Sequence, residues 1–236
     1  MLPGLAESRQ VIGLEMQAHG RTADIDRPLS PEQMADDTVA ALEHLGIEKA
    51  DFFGYSMGSD VALHIVVQHP DVVHKLVLAS ITYTLSGVQP GLMDGLAEMK
   101  PEMMFGSPWH EEYMRIAPRP EDFTVLFEKK TQMDRELEDC KSGPPVRGTR
   151  TSSAETIRAI KAPTLLIIGD SDLVRPEHAV EMFRLLGGGV FGDTPAGLPA
   201  SQLAVLPGTS HVTLVDRTDV LAIIPPFLDA PVPRAG

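Results

Sequence analysis

The sequence predicts an α/β protein: a mostly parallel sheet with helices on both faces and a helical segment inserted into it. Three observations predict this class. Apolar runs of strand length alternate with helical patterns over 47–80 and again over 162–228, the order that builds a parallel sheet covered on both faces. The alternation fails between about 81 and 159, where helical spacing persists but prolines at 90, 101, 108, 118 and 120 divide it into short pieces. Finally, Gly54-Tyr55-Ser56-Met57-Gly58 stands at a strand-to-helix junction, where a serine on a sharp, strained turn has its hydroxyl pushed above the end of the sheet. The expected organisation is a core of 1–80 and 160–236 with a helical cap of 81–159.

In order along the chain, residues 5–10 read as the last turn of a helix and Gln10-Val11-Ile12-Gly13-Leu14 as a short buried strand. Glu15 to Thr22 is a loop, with His19 as a structural loop histidine. Ser30-Pro31-Glu32-Gln33 is a helix start, with Ser30 as N-cap, Pro31 at the first position and Gln33 completing a capping box. Met34, Thr38, Leu42 and Leu45 share one face, and Gly46 ends the helix. Ile47 to Phe53 leads into the serine turn, and a helix follows from about Met57 to His69, stopped by Pro70, with His64 and His69 as packing and surface residues. A buried strand lies within Val72 to Ser80.

In the cap, Phe123, Leu126, Phe127, Lys130, Met133 and Leu137 have helical spacing, as do Leu92, Leu96 and Met99. Methionines and aromatics concentrate there. Most are expected to pack the cap onto the core, the rest to give a deformable apolar lining for an acyl or aromatic substrate. Residues 142–148 read as a hinge back to the core. Ala162 to Gly169 is a buried strand, Asp170 to Pro176 its carboxyl-end loop, and Glu177 to Leu186 a helix. An irregular glycine-rich excursion over 187–199 precedes a strand at 202–206, a loop at 207–211 and a closing helix at 220–228.

With 236 residues the chain is long enough for one large α/β domain. Its 20 Lys+Arg against 33 Asp+Glu leave a formal charge of −13, which argues against nucleic acid or an anionic membrane as partner. No apolar run is long enough to span a bilayer, and the amino terminus lacks the basic-then-apolar pattern of a signal peptide. The single cysteine, Cys140, allows no intrachain disulfide and fits a reducing cytoplasm. No cysteine and histidine spacing suits a metal, and nucleophilic chemistry at a serine hydroxyl needs neither metal nor organic cofactor.

The chemistry gathers on three loops, each at the carboxyl end of an expected strand, that carry Ser56, Asp172 and His211. In a parallel sheet those ends share one edge, so distant residues can converge there. Serine attacks a carbonyl, an imidazole takes its proton, and a carboxylate fixes the tautomer and stabilises the imidazolium. The Met57 N–H, at the start of a helix, faces the same space as an oxyanion donor. Gly54 and Gly58 are in place to be the small residues of the turn, a Cβ at either being expected to crowd the neighbouring strand and helix.

In these pieces the chain resembles the α/β-hydrolase family, whose triad runs serine, acid, histidine in that order. The matching stretches are Gly54 to Gly58, Leu165-Leu166-Ile167-Ile168-Gly169-Asp170-Ser171-Asp172, and Leu206-Pro207-Gly208-Thr209-Ser210-His211. The family's spacing of glycine, two residues, then the acid selects Asp172, with Asp170 as the fallback or a loop-capping carboxylate. Two departures stand out. The span from Asp172 to His211 is longer than the family's, with the excess in 187–199. The family's earlier strands, and the His-Gly motif after the third that supplies a second oxyanion donor, have no counterpart, so the sequence reads as amino-terminally truncated. The third strand would lie between 10–14 and 50–54. Without it, those strands close up on each other, or another chain, in a homo-oligomer, fills the gap.

The resemblance implies a serine hydrolase acting on an ester, lactone or thioester of a small, largely apolar acid, with Tyr55, Met103, Trp109 and Val174 as candidate substrate-binding residues. The alternative is a non-catalytic ligand-binding or interaction protein on the same scaffold. Carbon–carbon bond hydrolysis is open to the same triad; an aspartate nucleophile is excluded by the serine at 56.

Overall fold

A computed structural model of the chain describes residues 2–139, 153–195 and 197–232. Cys140 and the expected hinge at 142–148 lie outside them. Four parallel strands, β1 (Ala50–Tyr55), β2 (Val73–Ala79), β3 (Thr164–Ser171) and β4 (Gln202–Ser210), form one sheet in the order β1-β2-β3-β4. Alternate side chains serve opposite faces. Leu76, Leu78 and Leu166 join a core with Met34, Val61, Ile65 and Met182. Val77, Ala79, Leu165 and Ile167 join another with Leu206, Leu214, Ile224 and Phe227.

The flanking elements follow from local chemistry. After a short α1 (Leu2–Ala6), α2 (Pro31–His44) starts where the Ser30 hydroxyl accepts the Gln33 N–H at 3.2 Å. The partner that reaches back to Ser30 is Glu32, not Gln33: its carboxylate accepts the Ser30 hydroxyl at 2.8 Å. Leu45, expected on the inner face, is exposed, because the helix ends one residue earlier and Leu45 is its C-cap. Gly46 follows in the left-handed region, φ +70°. The third helix, α3 (Met57–Gln68), covers the same face of the sheet, and α8 (Pro176–Leu185) adds Met182 to that core. The helix expected at 220–228 is a 3₁₀ turn, Asp219–Ala222, followed by α9 (Ile224–Asp229), restarted by Pro225 and Pro226. Buried Lys75, on β2, donates to the carbonyls of Phe227 (3.0 Å), Leu228 (2.7 Å) and Ala230 at the end of α9. Its charge thus sits at the negative end of that helix.

Between β2 and β3 lie α4 (Leu92–Ala97), α5 (Pro108–Ile116), α6 (Phe123–Asp139) and α7 (Ala154–Ala159). Phe123 gathers His110, Tyr113 and Phe105 at ring-centre distances of 4.7, 5.4 and 6.2 Å. Met133 of α6 reaches the main core, whereas Met103 and Met114 are exposed. Lys129 ties α6 to the loop before α2, donating to the Asp24 carboxylate (2.6 Å) and the carbonyls of Ile25 (2.9 Å) and Arg27 (2.8 Å).

Two expectations are corrected. Residues 10–14 form no strand, and they do not close up against β1: Ile12 and Leu14 are 39% and 38% exposed. No described strand lies beside them to accept their hydrogen bonds, so apolar content alone makes no ladder, and β1 forms an edge of the sheet. Conversely, β3 and β4 run further than their apolar runs, to Ser171 and Ser210, because they continue to pair past a register shift after Gly169.

Candidate active site

The turn at Ser56 is built as the sequence required. Ser56 has φ +53°, unusual for a residue with a Cβ, and its N–H donates to the Ala79 carbonyl at 2.9 Å. A Cβ on Gly54 would lie 2.2 Å from the Gly58 carbonyl oxygen, so this position admits only glycine. Gly58 does not conform to the expectation: a Cβ there meets nothing within 4 Å, because its Cβ direction on the first turn of α3 opens onto empty space. The Met57 N–H begins α3 and, like every first helical amide, has no acceptor within the helix.

The three loops converge. His211 Nε2 lies 3.0 Å from Ser56 Oγ, and His211 Nδ1 lies 3.0 Å from Asp172 Oδ1. With Nδ1–H donating to the carboxylate, Nε2 is left to accept the serine hydroxyl. The Asp172 side chain is fully buried. Its Oδ2 accepts the Ser80 hydroxyl at 2.5 Å and the Gly169 N–H at 3.2 Å. Burial pushes this carboxyl up, but the hydrogen bonds from His211, Ser80 and Gly169 outweigh it and hold the group below the usual carboxylate range. Asp170 does not reach the imidazole. It accepts the N–H groups of Gly208 (2.9 Å) and Thr209 (3.1 Å), which is the loop-capping role.

The candidate substrate-binding residues are scattered. The Tyr55 ring stacks on His211, centres 5.1 Å apart, and its hydroxyl donates to the His211 carbonyl at 2.6 Å. Val174 is fully buried with Ile168 and Ala179 and presents no surface to a ligand. Met103 and Trp109 are 68% and 65% exposed on the cap. A cavity of about 610 Å³ is lined by Val88, Gln89, Met93, Asp94 and Arg175 among others, but by none of Ser56, Asp172 and His211. His19 is the loop residue expected, its Nδ1–H on the Gln17 carbonyl at 2.8 Å and its pKa lowered by burial. No group of three or more metal-ligating side chains occurs among the described residues. No helix among them is long and apolar enough to cross a membrane.

Sequence reasoning passed over Ser80, Gln89, which donates to the Asp172 carbonyl at 3.3 Å, and the stacking of Tyr55. For Ser80 a signal existed: a polar residue closes the apolar run Leu76 to Ala79 at the sheet edge that carries Ser56 and Asp172.

A family model described as the alpha/beta hydrolase fold matches residues 1–218. The 2-hydroxymuconate semialdehyde hydrolase of Pseudomonas sp. (strain CF600) is 25% identical over 204 residues, 75% of this chain; the match spans 64% of that relative's length. The pimeloyl-[acyl-carrier protein] methyl ester esterase of Neisseria meningitidis is 23% identical over 95% of this chain and 84% of its own. Among solved structures, a variant of the meta-cleavage product hydrolase from Pseudomonas fluorescens IP01 matches with a TM-score of 0.65 at 21% identity, covering 97% of this chain and 82% of that one. At that identity the likeness is one of fold.

Proposed function

Because this chain belongs to the α/β-hydrolase family, we propose that it is a serine hydrolase that cleaves an ester, lactone or thioester of a small, largely apolar acid through an acyl-enzyme. The observation that carries the reading is the pair of 3.0 Å contacts placing His211 between Ser56 and Asp172. His211 Nε2 takes the hydroxyl proton as Ser56 Oγ bonds to the substrate carbonyl carbon. The oxyanion so formed accepts the Met57 N–H at the positive end of α3. Collapse breaks the bond to the leaving group, which departs with the proton from His211. Water, deprotonated in turn by His211, then releases the acid and restores the Ser56 hydroxyl. Asp172 stays ionised throughout, holding Nδ1–H and balancing the imidazolium.

The esterase among the relatives supports the ester reading. Another relative is named as a semialdehyde hydrolase rather than an esterase, and a second reading, open to the same three residues, is hydrolysis of a carbon–carbon bond. A panel of p-nitrophenyl esters and lactones of graded chain length separates the two; turnover of none of them would refute the ester reading. A fluorophosphonate probe should label Ser56 in folded protein, and Ser56→Ala should abolish labelling and lower kcat on the order of 10⁴-fold or more. Turnover that survives Ser56→Ala would sink both readings.

A further inference from the structure

Ser80 follows β2 at the sheet edge that carries the triad, and the mechanism above gives it no part. It is buried, and its φ is +55°, a left-handed conformation that disfavours any Cβ. Strain of this kind persists where the surroundings over-determine it. Here the Ser80 N–H donates to the Ile167 carbonyl of β3 at 2.8 Å. The carbonyl of the preceding Ala79 accepts the Ser56 N–H at 2.9 Å and the Ser59 hydroxyl at 2.8 Å. One peptide step therefore touches the nucleophile's turn on one side and the acid's strand on the other. The Ser80 hydroxyl donates to Asp172 Oδ2, the oxygen that faces away from His211.

We propose that Ser80 is a positioning residue of the triad, fixing the rotation of the Asp172 carboxylate so that Oδ1 stays aimed at His211 Nδ1 while the imidazole gains and loses its proton. The proposal rests on the serine-hydrolase reading. The terminal torsion of a carboxylate is broad and weakly preferred, so a group held at one oxygen can swing. A charge-assisted bond from a hydroxyl to the second oxygen removes that freedom. Gly169 N–H also reaches Oδ2, at 3.2 Å, the long end of the range for an N–H donor. Glycine would adopt this backbone without strain. A serine at the same place carries the strain together with a hydroxyl, the pattern expected where the side chain itself is needed.

The strain makes the test clean. Ser80→Gly removes the hydroxyl and suits the backbone, whereas Ser80→Ala removes the hydroxyl and keeps the strain. The rate at which a fluorophosphonate phosphonylates Ser56 is followed against probe concentration, which separates the maximal rate from the apparent binding constant. Both variants should lose about 10–100-fold in maximal rate, the range of a hydrogen bond to a charged group. The binding constant should change less than about two-fold, and the Gly variant should melt above the Ala variant, which keeps the strain. An unchanged maximal rate in Ser80→Gly would overturn the proposal, as would failure of both variants to fold. A rate loss confined to whichever variant is less stable would do the same. Failure of the underlying reading looks different: wild-type Ser56 is not labelled at all, and both fall together.

Discussion

His178 shows how a single side chain can set a pH limit on the fold. Its ring is buried and stacks on Tyr83, centres 4.5 Å apart, and Nε2 accepts the Tyr83 N–H at 3.2 Å. The neutral ring therefore carries its proton on Nδ1, which faces the Glu181 carboxylate at 3.8 Å. Burial lowers its pKa; the Glu181 charge opposes that, and Arg175 adds to it. With the folded value below the unfolded one, the unfolded chain takes up the proton first as pH falls. Stability is then present above the unfolded value and declines as pH drops toward the folded one. His19, also lowered by burial, acts in the same direction. The melting temperature should fall between about pH 7.5 and about pH 5.5. His178→Gln, whose side-chain carbonyl can still accept the Tyr83 N–H, should flatten that fall. An unaltered slope in thermal melts across this range would remove His178 from the account.

Among the elements, the glycines do not all have one meaning. A Cβ on Gly169 would lie 1.9 Å from the Thr209 carbonyl oxygen, between β3 and β4 just before the acid loop. Gly169→Ala should force those strands apart and destabilise by on the order of 3 kcal/mol. Gly58→Ala, on the open first turn of α3, should be neutral or stabilising by at most about 1 kcal/mol. Urea titrations compare the two directly, and equal losses would refute the distinction. Both glycines belong to stretches the sequence singles out, yet only the packed structure tells a steric requirement from a vacancy. The same holds for strands. Leu165 to Ile168 and Leu76 to Ala79 were legible because continuous apolar runs are buried on both faces. Residues 10–14 carry a similar signal and form no strand, since a ladder needs a neighbour as well as a pattern.

Across the molecule, Lys129 joins helix α6 to the loop before α2. Its ammonium is shared by the Asp24 carboxylate and the Ile25 and Arg27 carbonyls, while Gln17 binds the same loop from the core side through Asp24 at 2.8 Å. Lys129→Met should cost about 2 kcal/mol, the scale of hydrogen bonds to a charged group. The loss should be local: amide exchange should quicken in 24–27 and in α6, while β2 and β3 keep wild-type protection. Uniform acceleration across the sheet would show that the contact supports the whole fold rather than the cap.

By itself the sequence determined the strand–helix alternation, the strained serine turn, and the order in which serine, acid and imidazole occur. Each of these is written in local periodicity or in a short run whose backbone demands particular residues. The family's spacing already pointed to Asp172, but only the tertiary structure decided that Tyr55 braces the imidazole, that Ser80 holds the far carboxylate oxygen, that Asp170 caps the loop at Gly208 and Thr209, and that 10–14 stays unpaired. Those outcomes depend on which groups from distant parts of the chain arrive within about 3 Å of one another, and no local pattern encodes that distance.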